Sequence, residues 1–171
     1  MLTDTGRAYT GGDPTSFKLG RGLQGDKDMG LALVPGDHFF TSMHVLADYT
    51  LFGTRAGTVL ICGYFARKEY ATLTEMMSFS CPVRHVTGDS STTLVAVSEL
   101  GEISEIVFNS REQYKNRVEF SSQRYNVCTA VRYRHSMFIC LMDKQVNISF
   151  QLSKLMKAQE NNLLTDITII L

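Results

Sequence analysis

Of all the stretches in the 171-residue chain, Gly20-Arg-Gly-Leu-Gln-Gly25 comes nearest to a chemical motif, because it has the glycine spacing of a dinucleotide-binding loop. That chemistry needs a strand ending at the first glycine and a helix opening after the third, so that a pyrophosphate meets helix N–H groups. Here Asp26-Lys-Asp-Met-Gly30 follows, a polar loop that puts two carboxylates where phosphate would sit. The serine and threonine run after Gly88 lacks the G-x-S-x-G elbow, and it reads as a turn entering a buried strand. Glu99, Glu102 and Glu105 have the three-residue interval of a helix face, but on a strand and its hairpin they scatter, so no acid/base pair is indicated. No catalytic residue, cofactor or metal site is expected.

Cysteine and histidine give the same answer. Cys62, Cys81, Cys128 and Cys140 contain no C-x-x-C pair to begin a zinc or redox site, and they read as small buried hydrophobes of a reducing compartment. His38, His44, His85 and His135 lie apart, each beside β-prone sequence. Arg111, Lys115, Arg117, Arg124, Arg132 and Arg134 interleave with Tyr114, Phe120, Tyr125 and Tyr133. Positive charge among aromatics can hold phosphates or stack on bases; as a patch it would take an acidic protein or nucleic acid. The commoner reading is a solvated rim with tyrosines packed inward.

Seventeen basic residues balance seventeen acidic ones, so no global field recruits nucleic acid or an anionic membrane. The first residues lack the basic and apolar regions of a secretory signal, and no segment approaches the ~20 apolar residues of a membrane span. The expected location is intracellular, in cytoplasm or nucleus, and the sequon at Asn147 is read as chance.

The elements that would carry these residues are strands. A phrase recurs: an apolar, β-branched run, a polar hinge centred on glycine, and a second β-prone run. The hinge glycines are Gly6, Gly57 and Gly101, at steps of 51 and 44 residues, and a fainter copy puts Lys144 at the hinge 43 residues on. Each copy has the grammar of a hairpin, and a period of this size marks a β-propeller or similar array. Further β-prone strips at 39–46, 82–86 and 125–133 precede hairpins, so the unit reads as an incoming strand followed by two paired strands. The polar segments 20–30 and 109–123 are expected to be rim connections. Residues 152–160 have helical spacing, and 163–171 read as a strand without a partner. The fold class expected is all-β: a partial β-propeller of three to four blades over 1–150, then a helix and strand over 151–171.

Leu2-Thr-x-x-Gly6-x-x-Tyr9-Thr-x-Gly12, with Lys18-Leu-Gly-Arg-Gly22 behind it, resembles the repeat phrase of the regulator-of-chromosome-condensation family. The stretch from Tyr49 to Gly63 is similar, and Pro82-Val83-x-x-Val86 with Gly88-Asp-Ser resembles the start of the next repeat. Gly6, Gly12, Gly57, Gly63 and Gly101 would be its structural turn glycines. The family's phrase ends in Trp-Gly, whereas this chain has no tryptophan, and its later units erode. Leu164-Thr-Asp-Ile-Thr-Ile169 is similar to the opening of a BTB domain. The resemblance implies a non-enzymatic protein-interaction scaffold, with a protein partner such as a cullin for which it would be a substrate adaptor. The alternative it implies is a nucleotide-exchange factor acting on a small GTPase. Because a ring needs more units, the chain is expected to be a fragment of a longer protein.

Overall fold

The computed structural model describes residues 1–25, 29–89 and 92–108, together with strands at 113–118, 125–133, 136–143 and 167–168. It is nearly all β. The first sheet pairs β1 (Tyr9–Gly12) with β2 (Met29–Leu33). The second runs in the order β3 (Phe40–Val45), β4 (Tyr49–Thr54), β5 (Thr58–Phe65), β6 (Lys68–Ser78). The third repeats that order with β7 (Val83–Gly88), β8 (Thr93–Ser98), β9 (Ile103–Phe108) and β10 (Gln113–Val118). The fourth holds β11 (Tyr125–Tyr133), β12 (Ser136–Asp143) and the short β13 (Ile167–Thr168).

Neighbouring strands in each meander are antiparallel, and the inner strands β3, β7 and β11 pack against one another in series. Sheets that stack face to face around a common inner line make a partial β-propeller, the architecture expected from the repeating hairpins.

The hairpins share one register. Counting from its glycine, the second hairpin pairs Phe52 with Leu60 and Gly53 with Val59, and the third pairs Ala96 with Ser104 and Val97 with Ile103. In the first, Leu2 bridges Ala8 while Tyr9 exchanges both backbone hydrogen bonds with Met1. In all three the residues five before and three after the glycine are opposite, as are those four before and two after. A β-strand side chain alternates faces, so identical register sends equivalent residues to equivalent sides.

Three cores result, one in each gap between sheets. Ala8, Val34, Phe40, Phe52, Leu60 and Cys62 fill the gap between the first and second sheets. Tyr49, Leu51, Ile61, Phe65, Val83, Leu94 and Ile106 belong to the largest cluster, between the second and third. Val95, Val97, Ile103, Ala130 and Ile139 form the next. Each fully buried aliphatic or aromatic side chain contributes about 1.5–3 kcal/mol of transfer free energy. Successive residues of β4 point into different cores, which is why all six are buried.

Several expectations are corrected. The unit has four strands rather than three: β6 and β10 form the outer edges, and β10 lies inside the segment 109–123 that reads as a loop. β2 likewise begins within the expected connection 20–30. The C-terminal strand does have a partner, for β13 pairs in parallel with β12. The helix at 152–160, the hinge at Lys144, the sequon at Asn147 and the boundary at 150/151 lie outside the described residues. Among the described residues no helix is long and apolar enough to cross a membrane.

Candidate functional site

The first unit differs from the others in its outer connection. β5 turns into β6 through Ala66 and Arg67 alone, both with positive φ. Between β1 and β2, by contrast, residues 13–28 intervene, and their first part folds back over the second sheet. A 3-10 turn at Thr15–Phe17 packs on β5 and β6. Backbone carbonyls pin the segment: Leu19 accepts from the Thr10 hydroxyl at 2.6 Å, and Lys18 accepts from the Thr50 hydroxyl at 2.8 Å. The Cys62 thiol also donates to the Lys18 carbonyl, at 3.4 Å.

This loop walls one side of an open groove of about 510 Å³ between the first and second sheets. Leu19, Met29, Leu31, Met43, Val45 and Leu46 give it an apolar lining. Met1, Leu31 and Val45 are each 60% exposed or more, and a cluster of exposed apolar side chains marks an interaction surface better than any one of them does. Methionines suit such a lining because their unbranched thioethers repack around different partners. At the groove margin the Lys18 ammonium meets the Asp13 carboxylate at 2.7 Å. That contact and hydrogen bonds from Thr15 hold the Asp13 pKa down at about 2.

Gly20 to Gly25, the dinucleotide-like run, lies within this loop. Gly20 and Gly22 have φ of 69° and 65°, and the next described element is the strand β2. A Cβ at Gly20 would press on the Cys62 sulfur at 3.1 Å, so the glycine allows close packing of loop on sheet. Thus the geometry accounts for these glycines by backbone turns and packing.

The other residues singled out are dispersed. Gly6, Gly57 and Gly101 occupy the hairpin turns with φ of 72°, 90° and 83°. Gly12 and Gly63 lie on strands, where φ of 107° and 110° kinks the chain. Lys115 and Arg117 stand on β10, opposite Ile106 and Ser104, while Arg132 is on the inner strand β11. Arg111, Arg124 and Arg134 lie outside the described residues. Glu105 is buried on β9, whereas Glu99 and Glu102 flank the turn glycine Gly101.

Asp89 organises the turn into β8: its carboxylate accepts from the backbone N–H groups of Thr92 and Thr93 at 2.6 and 2.9 Å. His44 and His85 are half-buried on the neighbouring inner strands β3 and β7. Burial lowers both pKa values, and the nearby His44 lowers that of His85 further. Burial pushes the Cys62 thiol up to about 12, the mark of a packing residue rather than a nucleophile. Among the described residues no group of three or more His, Cys, Asp or Glu converges to hold a metal ion.

The groove itself has little signature in the sequence. Its lining comes from five separate segments, and only the alternation of Met29, Leu31 and Leu33 hints that an apolar strand face lies there. No protein-family model matches the chain, and neither does any curated protein.

Proposed function

We propose that the chain is a protein-interaction scaffold built from repeats of the regulator-of-chromosome-condensation type. The observation that carries this reading is the common register of the hairpins at Gly6, Gly57 and Gly101, which makes each phrase one structural unit. A stacked array of such units gives recognition surfaces in its gaps and loops, and the apolar groove between the first two sheets is one of them. In the fuller version, the segment from Leu164 to Ile169 opens a BTB domain that couples the bound partner to a cullin-type ubiquitin ligase. The basic stretch from Arg111 to Arg134 then offers an acidic protein a second contact.

The test has two arms. Purified protein is added to small GTPases loaded with fluorescent nucleotide; release at the background rate is expected, and acceleration of tenfold or more would overturn the scaffold reading in favour of exchange. Titration against a purified cullin N-terminal region then examines the adaptor role, where absence of saturable binding removes the ligase coupling.

A further inference from the structure

We infer that the outer mouth of the gap between the second and third sheets is a docking site for an acidic, extended segment of a partner polypeptide. This rests on the scaffold reading and names the class of partner.

Register places the charges. The two sheets meet at their inner strands, where β7 packs on β3 and β4, so the edge strands β6 and β10 border the outer end of the gap. On β9, Ile106 and Phe108 share the face that joins the core toward the second sheet. Their partners on β10 are Lys115 and Gln113, and Arg117 follows one alternation later, opposite Ser104. Residues opposite one another in an antiparallel pair, and residues two apart on a strand, occupy one face of a sheet. Lys115 and Arg117 are therefore both on the face of the third sheet turned to the second. Arg132 is not, for it stands two residues from Ala130 on β11, on the face of the core between the third and fourth sheets. The basic stretch thus splits between two gaps.

The opposing wall comes from β6. Tyr70 and Met77 lie in the same core as Ile106, so their face of β6 is turned to the third sheet, and Lys68 shares it, opposite Phe65. The ammonium of this exposed lysine is held 5.1 Å over the Tyr70 ring. The Phe65 and Phe108 rings meet edge to face at 5.2 Å, which fixes the relative height of the two walls. One alternation from that shared level brings Tyr70 on β6 level with Lys115 on β10, and the next leads to Arg117. Glu69 and Glu75 pair with Tyr64 and Leu60, and Leu60 belongs to the core toward the first sheet, so both carboxylates are on the opposite face. Within β6 and β10 no acidic residue shares the facing walls.

The occupant follows from charge and spacing. Lys68, Lys115 and Arg117 repel one another at one mouth, and a chain bearing carboxylates relieves that repulsion. Lys115 and Arg117 are two residues apart on a strand, about 6.8 Å. An extended segment with carboxylates at alternate positions has the same repeat. Nucleic acid fits less well: Tyr70 is 8% exposed and carries Lys68 on its ring, so it offers no open face to a base.

The probe is a fluorescein-labelled peptide of alternating threonine and glutamate, and the readout is anisotropy with the full chain at low salt. Saturable binding is expected, weakening as salt is raised, with a loss of about tenfold or more in a Lys115→Glu/Arg117→Glu variant and a smaller loss in Lys68→Glu. Arg7→Glu makes the same change of net charge at an exposed position of the first hairpin, and it should bind like the parent. A Lys115→Gln/Arg117→Gln variant should also lose affinity while its denaturation midpoint stays near the parent's, which separates lost contact from lost fold. No saturation, or a loss in Arg7→Glu as large as in Lys68→Glu, would overturn the proposal. So would tighter binding of an oligothymidylate that the same variants weaken, which would assign the mouth to nucleic acid. None of these outcomes bears on nucleotide release, so the scaffold reading stands or falls separately.

Discussion

The hydroxyl of Tyr49, at the start of β4, donates a hydrogen bond to the backbone carbonyl of Asp89 in the turn between β7 and β8. One side chain thereby ties the second sheet to the loop that leads into the central strand of the third. Its ring is buried against Phe65, with centroids 4.8 Å apart and planes at 59°. Burial pushes the phenol pKa up, so the hydroxyl remains a donor through the neutral and moderately alkaline range.

Tyr49→Phe keeps the packing and removes the hydrogen bond to the Asp89 carbonyl. A loss of about 1 kcal/mol is expected. Tyr49→Ala also empties the core and should cost about 3–5 kcal/mol. Urea denaturation of the full chain checks both, and a Tyr49→Phe variant as unstable as Tyr49→Ala would contradict the separation of roles.

Two glycines with positive φ should differ in their tolerance of alanine. At Gly57, with φ of 90°, an added Cβ would run into the backbone carbonyl oxygens of Phe79 and Cys81. At Gly22, with φ of 65°, it meets nothing within 4 Å. Gly22→Ala should therefore lose only the left-handed backbone penalty of about 1–2 kcal/mol. Gly57→Ala adds displacement of the chain around 79–81 to that. Equal denaturation midpoints for the two variants would refute this ordering.

The histidines set a pH dependence. Folding lowers the pKa of His44 and His85 below the ordinary value of 6.5, so the unfolded chain binds more protons near and below that pH. Stability should be full above about pH 6.5 and decline as pH falls through the interval below it. Midpoints measured between pH 7.5 and 5.5 should drop, and the drop should shrink in a His44→Gln/His85→Gln double variant. An undiminished drop would place its origin elsewhere.

Thiol labelling should separate two cysteines. Cys62 is fully buried with its pKa raised, whereas Cys81 is partly accessible. Maleimide treatment of the native protein followed by peptide mapping should modify Cys81 well before Cys62, and denaturant should erase the difference. Early modification of Cys62 would show that the loop over it opens.

Much of the repeat could be read directly. The strips at 39–46, 82–86 and 125–133 fall on β3, β7 and β11, and the glycines at 6, 57 and 101 fall at hairpin turns. Phe40 on β3 and Val83 and Val86 on β7 are buried in the cores between sheets, and a turn needing positive φ selects glycine. The outer strands were not legible for the complementary reason. Gln113–Val118 and Lys68–Ser78 sit at sheet edges, where charged and polar residues are favoured because they discourage edge-to-edge pairing. Of the eleven residues of Lys68–Ser78 only Tyr70 and Met77 are buried, seven apart, so no alternation of apolar residues marks that strand.

The groove shows where local information ends. Composition and spacing alone determined an all-β chain of repeating hairpins, because turn chemistry and β-branched runs act over a few residues. Only the tertiary structure decided that Thr10 and Gly11 would meet Met43 and Val45 across a gap, and that Asp13, Lys18 and Leu19 would wall it. Those contacts depend on how one sheet stacks on the next. They join residues more than thirty positions apart, and no short-range pattern encodes that distance.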